Sequence, residues 1–196
     1  MKKAEDVAGW MARNELDTIR AIAAKHQPTV VVEIGSFAGR SALAWAEALP
    51  DSTIFCVDLF AGDFIATVSL TGNLLDPDLT VAERARPLYS LFLENTWDCP
   101  NIRHIRCDSK QLLAHWHGDD VDLVFIDGHH SFESVAGDLA TAMELGADVI
   151  CGHDYGSPGY GGPEHKGVTA AVDKFRSEHD CRFFRHRSTT IFELEL

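Results

Sequence analysis

Two short runs hold the groups best suited to gripping a cation and moving a proton: Asp127-Gly-His-His130 and Gly152-His-Asp-Tyr155. Each follows an apolar run that reads as a buried strand, so adjacent parallel strands would bring Asp127 and Asp154 close together. Two close carboxylates repel unless positive charge lies between them. A divalent ion with oxygen ligands meets that need, with His153 as a third ligand. The charges are equally met if Asp127 and Asp154 pair with His129 or His153 and no metal is present.

A third run, Val30-Val-Val-Glu-Ile-Gly-Ser-Phe-Ala-Gly-Arg-Ser41, passes from a β-branched strand through a small-residue turn into a helix. Gly35 permits the sharp turn and Gly39 an early helix start. Free N–H groups at that start suit a carboxylate or phosphate, and Glu33 ends the strand at the same crevice. This reads as a nucleotide-type site, although the spacing is G-x-x-x-G and not the dinucleotide G-x-G-x-x-G. A tight turn with no ligand fits the same residues. Asp58 closes the next strand, where an acid takes both ribose hydroxyls or caps the turn. Asp108, after the strand beyond it, either accepts an adenine amino proton or caps the helix starting at Ser109.

These residues need elements to place them. The pattern predicts a helical region over residues 4–26, divided in two if Asn14 and Asp17 cap a second helix. Strands are expected at 30–34, 53–57, 102–107, 121–126 and 147–151, with helices at 40–49, 88–97, 109–116 and 132–143 and one through Val168–Phe175. Segments 182–184 and 190–194 read as a closing antiparallel hairpin. The alternation implies a doubly wound, Rossmann-like α/β sheet of seven strands, mostly parallel. Right-handed crossovers then put Glu33, Asp58, Asp108, Asp127 and His153-Asp154 along one edge. The irregular stretch 59–84 is too long for an ordinary connection and reads as a lid, and the loop Gly156–Pro163 faces the same side.

At 196 residues, the chain is expected to form one domain (1–196), with 1–27 as an N-terminal helical region. A net charge of −13 leaves no basic stripe for nucleic acid and disfavours an anionic membrane surface. No apolar run is long enough to span a bilayer, and the N-terminus lacks a signal-peptide core. Five cysteines without a CxxC pair read as reduced residues of a cytoplasmic protein and not as a zinc cluster. Trp10, Trp45, Trp97 and Trp116 read as core residues on helix faces. The expected partner is a small molecule, and self-association stays open.

Taken together, Glu33-Ile-Gly-Ser-Phe-Ala-Gly-Arg-Ser41, Asp58, Asp108, Phe125-Ile-Asp-Gly-His-His-Ser-Phe-Glu133, GHDYG and GVTAAVDKF resemble the class I S-adenosylmethionine-dependent methyltransferases. Within that class the chain is similar to small metal-dependent O-methyltransferases, in the group of the macrolide-sugar O-methyltransferases and cephalosporin hydroxylase-type proteins. Catechol O-methyltransferase is a more distant likeness. The resemblance covers roughly residues 28–178. It implies that Glu33, Gly35 and Ser41 hold the methionine end of the cofactor, Asp58 the ribose, and Asp108 and Ser109 the adenine. It implies a divalent cation on Asp127 and Asp154, usually magnesium, and His130 as the catalytic base, with His129 the lesser candidate. His153 departs from the pattern, because relatives carry Asp or Glu there. A neutral imidazole removes a hard oxygen ligand and leaves room for manganese, iron, zinc or no metal. The function implied is O-methylation of a small hydroxylated molecule such as a sugar or vicinal diol. The alternatives are a nicotinamide-dependent oxidoreductase and a non-catalytic cofactor-binding protein with a degenerate metal site.

Overall fold

The computed structural model describes residues 2–62, 87–118, 120–157 and 165–196. Most of the expected lid, and the part of the glycine- and proline-rich loop from 158 onward, lie outside the described residues. Five parallel strands, β1 (Val30–Ile34), β2 (Thr53–Asp58), β3 (Ile102–Arg106), β4 (Leu123–Ile126) and β5 (Val149–Gly152), are followed by β6 (Arg182–Arg185) and β7 (Phe192–Glu195). The helices are α1 (Arg13–His26), α2 (Arg40–Ala48), α3 (Leu88–Thr96), α4 (Leu112–His115), α5 (Phe132–Glu144) and α6 (His165–Glu178). Short 3-10 turns cover Ala4–Asp6 and Ser109–Gln111.

The sheet order is β3-β2-β1-β4-β5-β7-β6, so strand order reverses between β1 and β4. Ligands of open α/β sheets bind outside the carboxyl ends of strands at such a reversal. β7 pairs antiparallel with both β5 and β6. The last strand therefore enters the sheet, and β6 takes the edge. Their residues explain the exchange: Phe192 and Leu194 are fully buried, whereas β6 reads Arg-Phe-Phe-Arg and is mostly exposed. A charged edge resists pairing with another chain.

Both faces of the sheet are covered. Val31, Ile54 and Phe125 pack with Leu16, Ile19, Leu43, Trp45 and Phe92 on one side. Val32, Val124 and Ile150 pack with Leu112, Val135, Leu139, Val172 and Phe175 on the other. Each such side chain contributes about 1.5–3 kcal/mol by leaving water, which is why the central strands are apolar at successive positions and not alternating. Of the tryptophans, Trp45 is core as expected. Trp97 is 84% exposed and Trp10 37%, because each lies where the chain leaves a packed element.

The opening region holds one α-helix, and Asn14 lies inside it. The cap comes from Glu15, whose Oε2 accepts the Ala12 N–H at 2.9 Å, leaving the residues before it to the separate 3-10 turn. Asp108 caps the turn after β3, accepting the Lys110 N–H at 3.1 Å. Ser131 caps α5 through its hydroxyl, which accepts the Ser134 N–H.

Candidate active site at the carboxyl edge

Two glycines bring the strand ends close enough to form a cluster. At Gly35, φ is +92°, and an added Cβ would lie 2.1 Å from the Asp127 carbonyl oxygen. At Gly152 a Cβ would lie 2.5 Å from the Ile126 carbonyl oxygen and 2.7 Å from the Phe192 ring. No side chain fits at either place. Backbone hydrogen bonds then carry the ladder past the strands: Asp127 N to Ile34 O at 2.8 Å, and His153 N to Ile126 O at 3.0 Å. Asp127 and His153-Asp154 are thereby set side by side. Asp154 has φ +63°, a left-handed conformation that Asp tolerates better than most residues.

The groups converge as a compact acid–histidine cluster. His153 Nδ1 lies 3.6 Å from Asp127 Oδ1 and 3.3 Å from Asp154 Oδ2. His130 Nε2 lies 3.7 Å and 3.4 Å from the same two oxygens. One ligand atom from each of Asp127, His153 and Asp154 falls within 4.8 Å of the others, close enough for one ion. Burial disfavours protonated imidazole at both histidines, but the facing carboxylates outweigh it and raise both pKa values. His129 does not join the cluster. It is exposed, and its Nδ1 accepts the Ser131 N–H at 3.2 Å.

The glycine turn forms the other half of the crevice. Asp58 uses both oxygens on backbone: Oδ2 accepts from Phe37 N at 2.9 Å and Oδ1 from Phe60 N at 2.7 Å. It therefore does cap its turn, and each oxygen keeps a lone pair for a further donor. Burial raises its pKa. Glu33 is fully enclosed under the loop. Neither of its oxygens has a well-formed hydrogen bond. Burial pushes its pKa up to about 7, with the Ser36 and Ser41 hydroxyls only partly opposing. Ser109 bonds to Asp138, a buried acid on α5 whose burial pushes its pKa to about 6.

Two acids at the site escape sequence reasoning. Asp138 lies among the apolar positions of α5. Glu15, on α1, lies 3.0 Å from His153 Nε2, although the ring N–H does not point straight at it. Glu15 Oε1 also accepts from Thr190 N and Thr190 Oγ1, at 3.2 and 3.0 Å. Burial opposes its charge, but His153 and the two backbone donors hold its pKa at about 2. The one sequence signal was its place three residues after Ala12, which suits a helix cap and says nothing of His153.

With this geometry in view, comparison with known proteins gives a consistent family. The family model for a methyltransferase domain matches residues 32–155, well over half of the chain, from within β1 to just past the cluster. Among solved structures, the S-adenosylhomocysteine-bound methyltransferase PaMTH1 of Podospora anserina superposes with a TM-score of 0.65 at 15% identity, over 95% of this chain and 79% of that one. The O-methyltransferase TomG of Streptomyces achromogenes, involved in tomaymycin synthesis and solved with S-adenosylmethionine, gives 0.61 at 17% identity, over 95% and 81%. An O-methyltransferase of Bacillus cereus in complex with S-adenosylhomocysteine gives 0.59 at 12% identity, over 94% and 82%. At such identities the likeness is one of fold. No curated protein matches the sequence.

Proposed function

The chain belongs to the methyltransferase-domain family, and from that premise we propose that it transfers a methyl group from S-adenosylmethionine to a hydroxyl oxygen of a small molecule, using a divalent cation. The observation that carries the reading is the meeting of Asp127, His153, Asp154 and His130 beside the glycine turn and Asp58. The family match lends no support to a nicotinamide reaction, and the turn lacks the G-x-G-x-x-G spacing.

The residues present fit both groups. Asp58 has lone pairs left for ribose hydroxyls, and the enclosed Glu33, whose pKa burial pushes up to about 7, would be drawn into its charged form beneath the loop by a sulfonium and an ammonium. Gly35 and Ser41 would complete the methionine end, and Asp108 and Ser109 the adenine end. Asp127, His153 and Asp154 offer two carboxylates and an imidazole within reach of one ion. Such an ion supplies a lowered hydroxyl pKa and a fixed acceptor oxygen. His130, with Nε2 facing the same carboxylates, takes the proton from the acceptor hydroxyl. In-line displacement needs that oxygen about 3 Å from the methyl carbon, so the strand ends serve to position both partners.

The acceptor class is a small hydroxylated molecule, such as a sugar or vicinal diol, and neither nucleic acid nor a membrane surface, in keeping with the net charge of −13. Among the described residues no helix is long and apolar enough to cross a membrane. The five cysteines are free, which suits a reducing cytoplasm. Calorimetry with S-adenosylmethionine, followed by a methylation screen of sugars and catechols with and without chelator, tests the reading. Absence of cofactor heat refutes it, and turnover indifferent to chelation removes the cation from it.

A further inference from the structure

Resting on the reading of the cluster as a cation site, we infer that Glu15 is the positioning carboxylate for His153, and that the pair makes the centre one for a divalent transition-metal ion and not for magnesium. A neutral imidazole carries its hydrogen on one nitrogen and a lone pair on the other. Carboxylates, which only accept, face both nitrogens; Glu15, at 3.0 Å from Nε2, is the nearest of them, and a cation shared with Asp127 and Asp154 would need Nδ1 without a hydrogen, so the hydrogen belongs on Nε2. The lone pair is then left on Nδ1, the nitrogen that faces Asp127 and Asp154 at 3.6 and 3.3 Å. Metal-bound histidines are oriented in this way by a carboxylate on the far nitrogen.

Glu15 is itself held from three directions. Ala12 N donates to Oε2, and Thr190 N and Oγ1 donate to Oε1. Thr190 Oγ1 in turn accepts the Asp154 N–H at 3.3 Å. One carboxylate on α1 therefore steadies two of the three ligand-bearing residues, and only 10% of its side chain reaches solvent.

Ligand chemistry then decides the ion. Magnesium takes oxygen donors and keeps much of its water, whereas imidazole suits the later first-row ions. The other acid–histidine cluster among the described residues, His26 with Glu193 and Glu195, is no competitor. The Lys25 ammonium lies 2.6 Å from each of its carboxylates and already meets their charge.

The test uses the metal-free full chain, titrated with Co²⁺ and Mg²⁺ by calorimetry and by the visible absorption of bound Co²⁺. Wild type should bind Co²⁺ more tightly than Mg²⁺. Glu15→Gln keeps the volume but has a single accepting oxygen; with that oxygen kept on the Ala12 N–H, its amide N–H is turned toward His153 Nε2 in place of the accepting Oε1. It should weaken Co²⁺ by about 10–100-fold in protein that circular dichroism shows to be folded. In the Zn²⁺-loaded protein, long-range ¹H–¹⁵N spectra should show His153 with hydrogen on Nε2. The double variant Glu15→Gln/His153→Asp, which restores an oxygen ligand without crowding two acids, should reverse the preference toward Mg²⁺. Glu15→Gln binding Co²⁺ like wild type, or hydrogen on Nδ1, overturns the role of Glu15. Equal or tighter Mg²⁺ binding by wild type overturns the choice of ion while leaving a cation site in place. A wild type that binds neither ion overturns the cation site as well and leaves the methyltransferase reading to the cofactor measurement.

Discussion

Replacing Gly35 by alanine tests whether the site is assembled by close approach of two strand ends. The new Cβ would lie 2.1 Å from the Asp127 carbonyl oxygen and 2.4 Å from its carbonyl carbon. Real Cβ contacts essentially never fall below 3.0 Å, and both neighbours are backbone, so no rotamer change relieves the overlap. β1 and β4 must part. That stretches the bond from Asp127 N to Ile34 O, 2.8 Å, which is worth about 1 kcal/mol. Left-handed backbone with a Cβ adds about 1–2 kcal/mol. The sum is about 2–3 kcal/mol, a fall in melting temperature of about 4–12 °C for a chain of this size. Gly146 provides the matched control. Its φ is +80°, it closes α5 with Gly146 N on Met143 O and Ala147 N on Ala142 O, and an added Cβ would meet nothing within 4 Å. Gly146→Ala should cost only the conformational part, about 1–2 kcal/mol. Thermal unfolding by circular dichroism measures both. Equal losses in the two variants would refute the account, since conformation alone would then explain Gly35.

Other substitutions probe the site and its supports. His130→Ala should lower turnover by about 10²–10⁴ with S-adenosylmethionine affinity nearly unchanged; if His129→Ala does so instead, the proton goes to the exposed histidine. Glu33, with a pKa near 7 from burial, should be drawn toward its ordinary value by a positively charged cofactor. Binding at pH 7 should therefore release about half a proton, read as a dependence of calorimetric heat on buffer ionisation enthalpy; no such dependence refutes it. Glu193 is buried, which opposes its charge, but His186, Lys25 and His26 hold its pKa at about 2 against 4.5. Its folded pKa is depressed, so its contribution is full above about pH 4.5 and fades as pH falls toward 2. Glu193→Gln should cost about 2–3 kcal/mol at pH 7 and little near pH 2, as followed by urea unfolding; a pH-independent loss would point to packing instead.

The strand-to-helix alternation, the acids at the strand ends and the turn at Gly35 were legible because each depends on a few neighbouring residues. β-branching, apolar periodicity and glycine punctuation are local properties, and right-handed crossovers convert them into a shared edge. That is how Asp127, His153 and Asp154 could be placed near one another from spacing alone. The sequence could not say that His130 turns toward the carboxylates while His129 turns away, because that depends on how Ser131 opens α5. Nor could it place β7 between β5 and β6, since the two hairpin strands differ only in which burial the sheet offers them. Glu15 and Asp138 are the clearest cases. On an amphipathic helix an acid beside the apolar stripe looks the same whether it meets water or a partner from another strand. Glu15 meets His153 and Thr190, distant in sequence, only once α1 has packed beside the end of the sheet. Local patterning therefore set which groups gather at the edge. Tertiary packing decided their orientation, their burial and the charge each one carries, because those follow from contacts that span most of the chain.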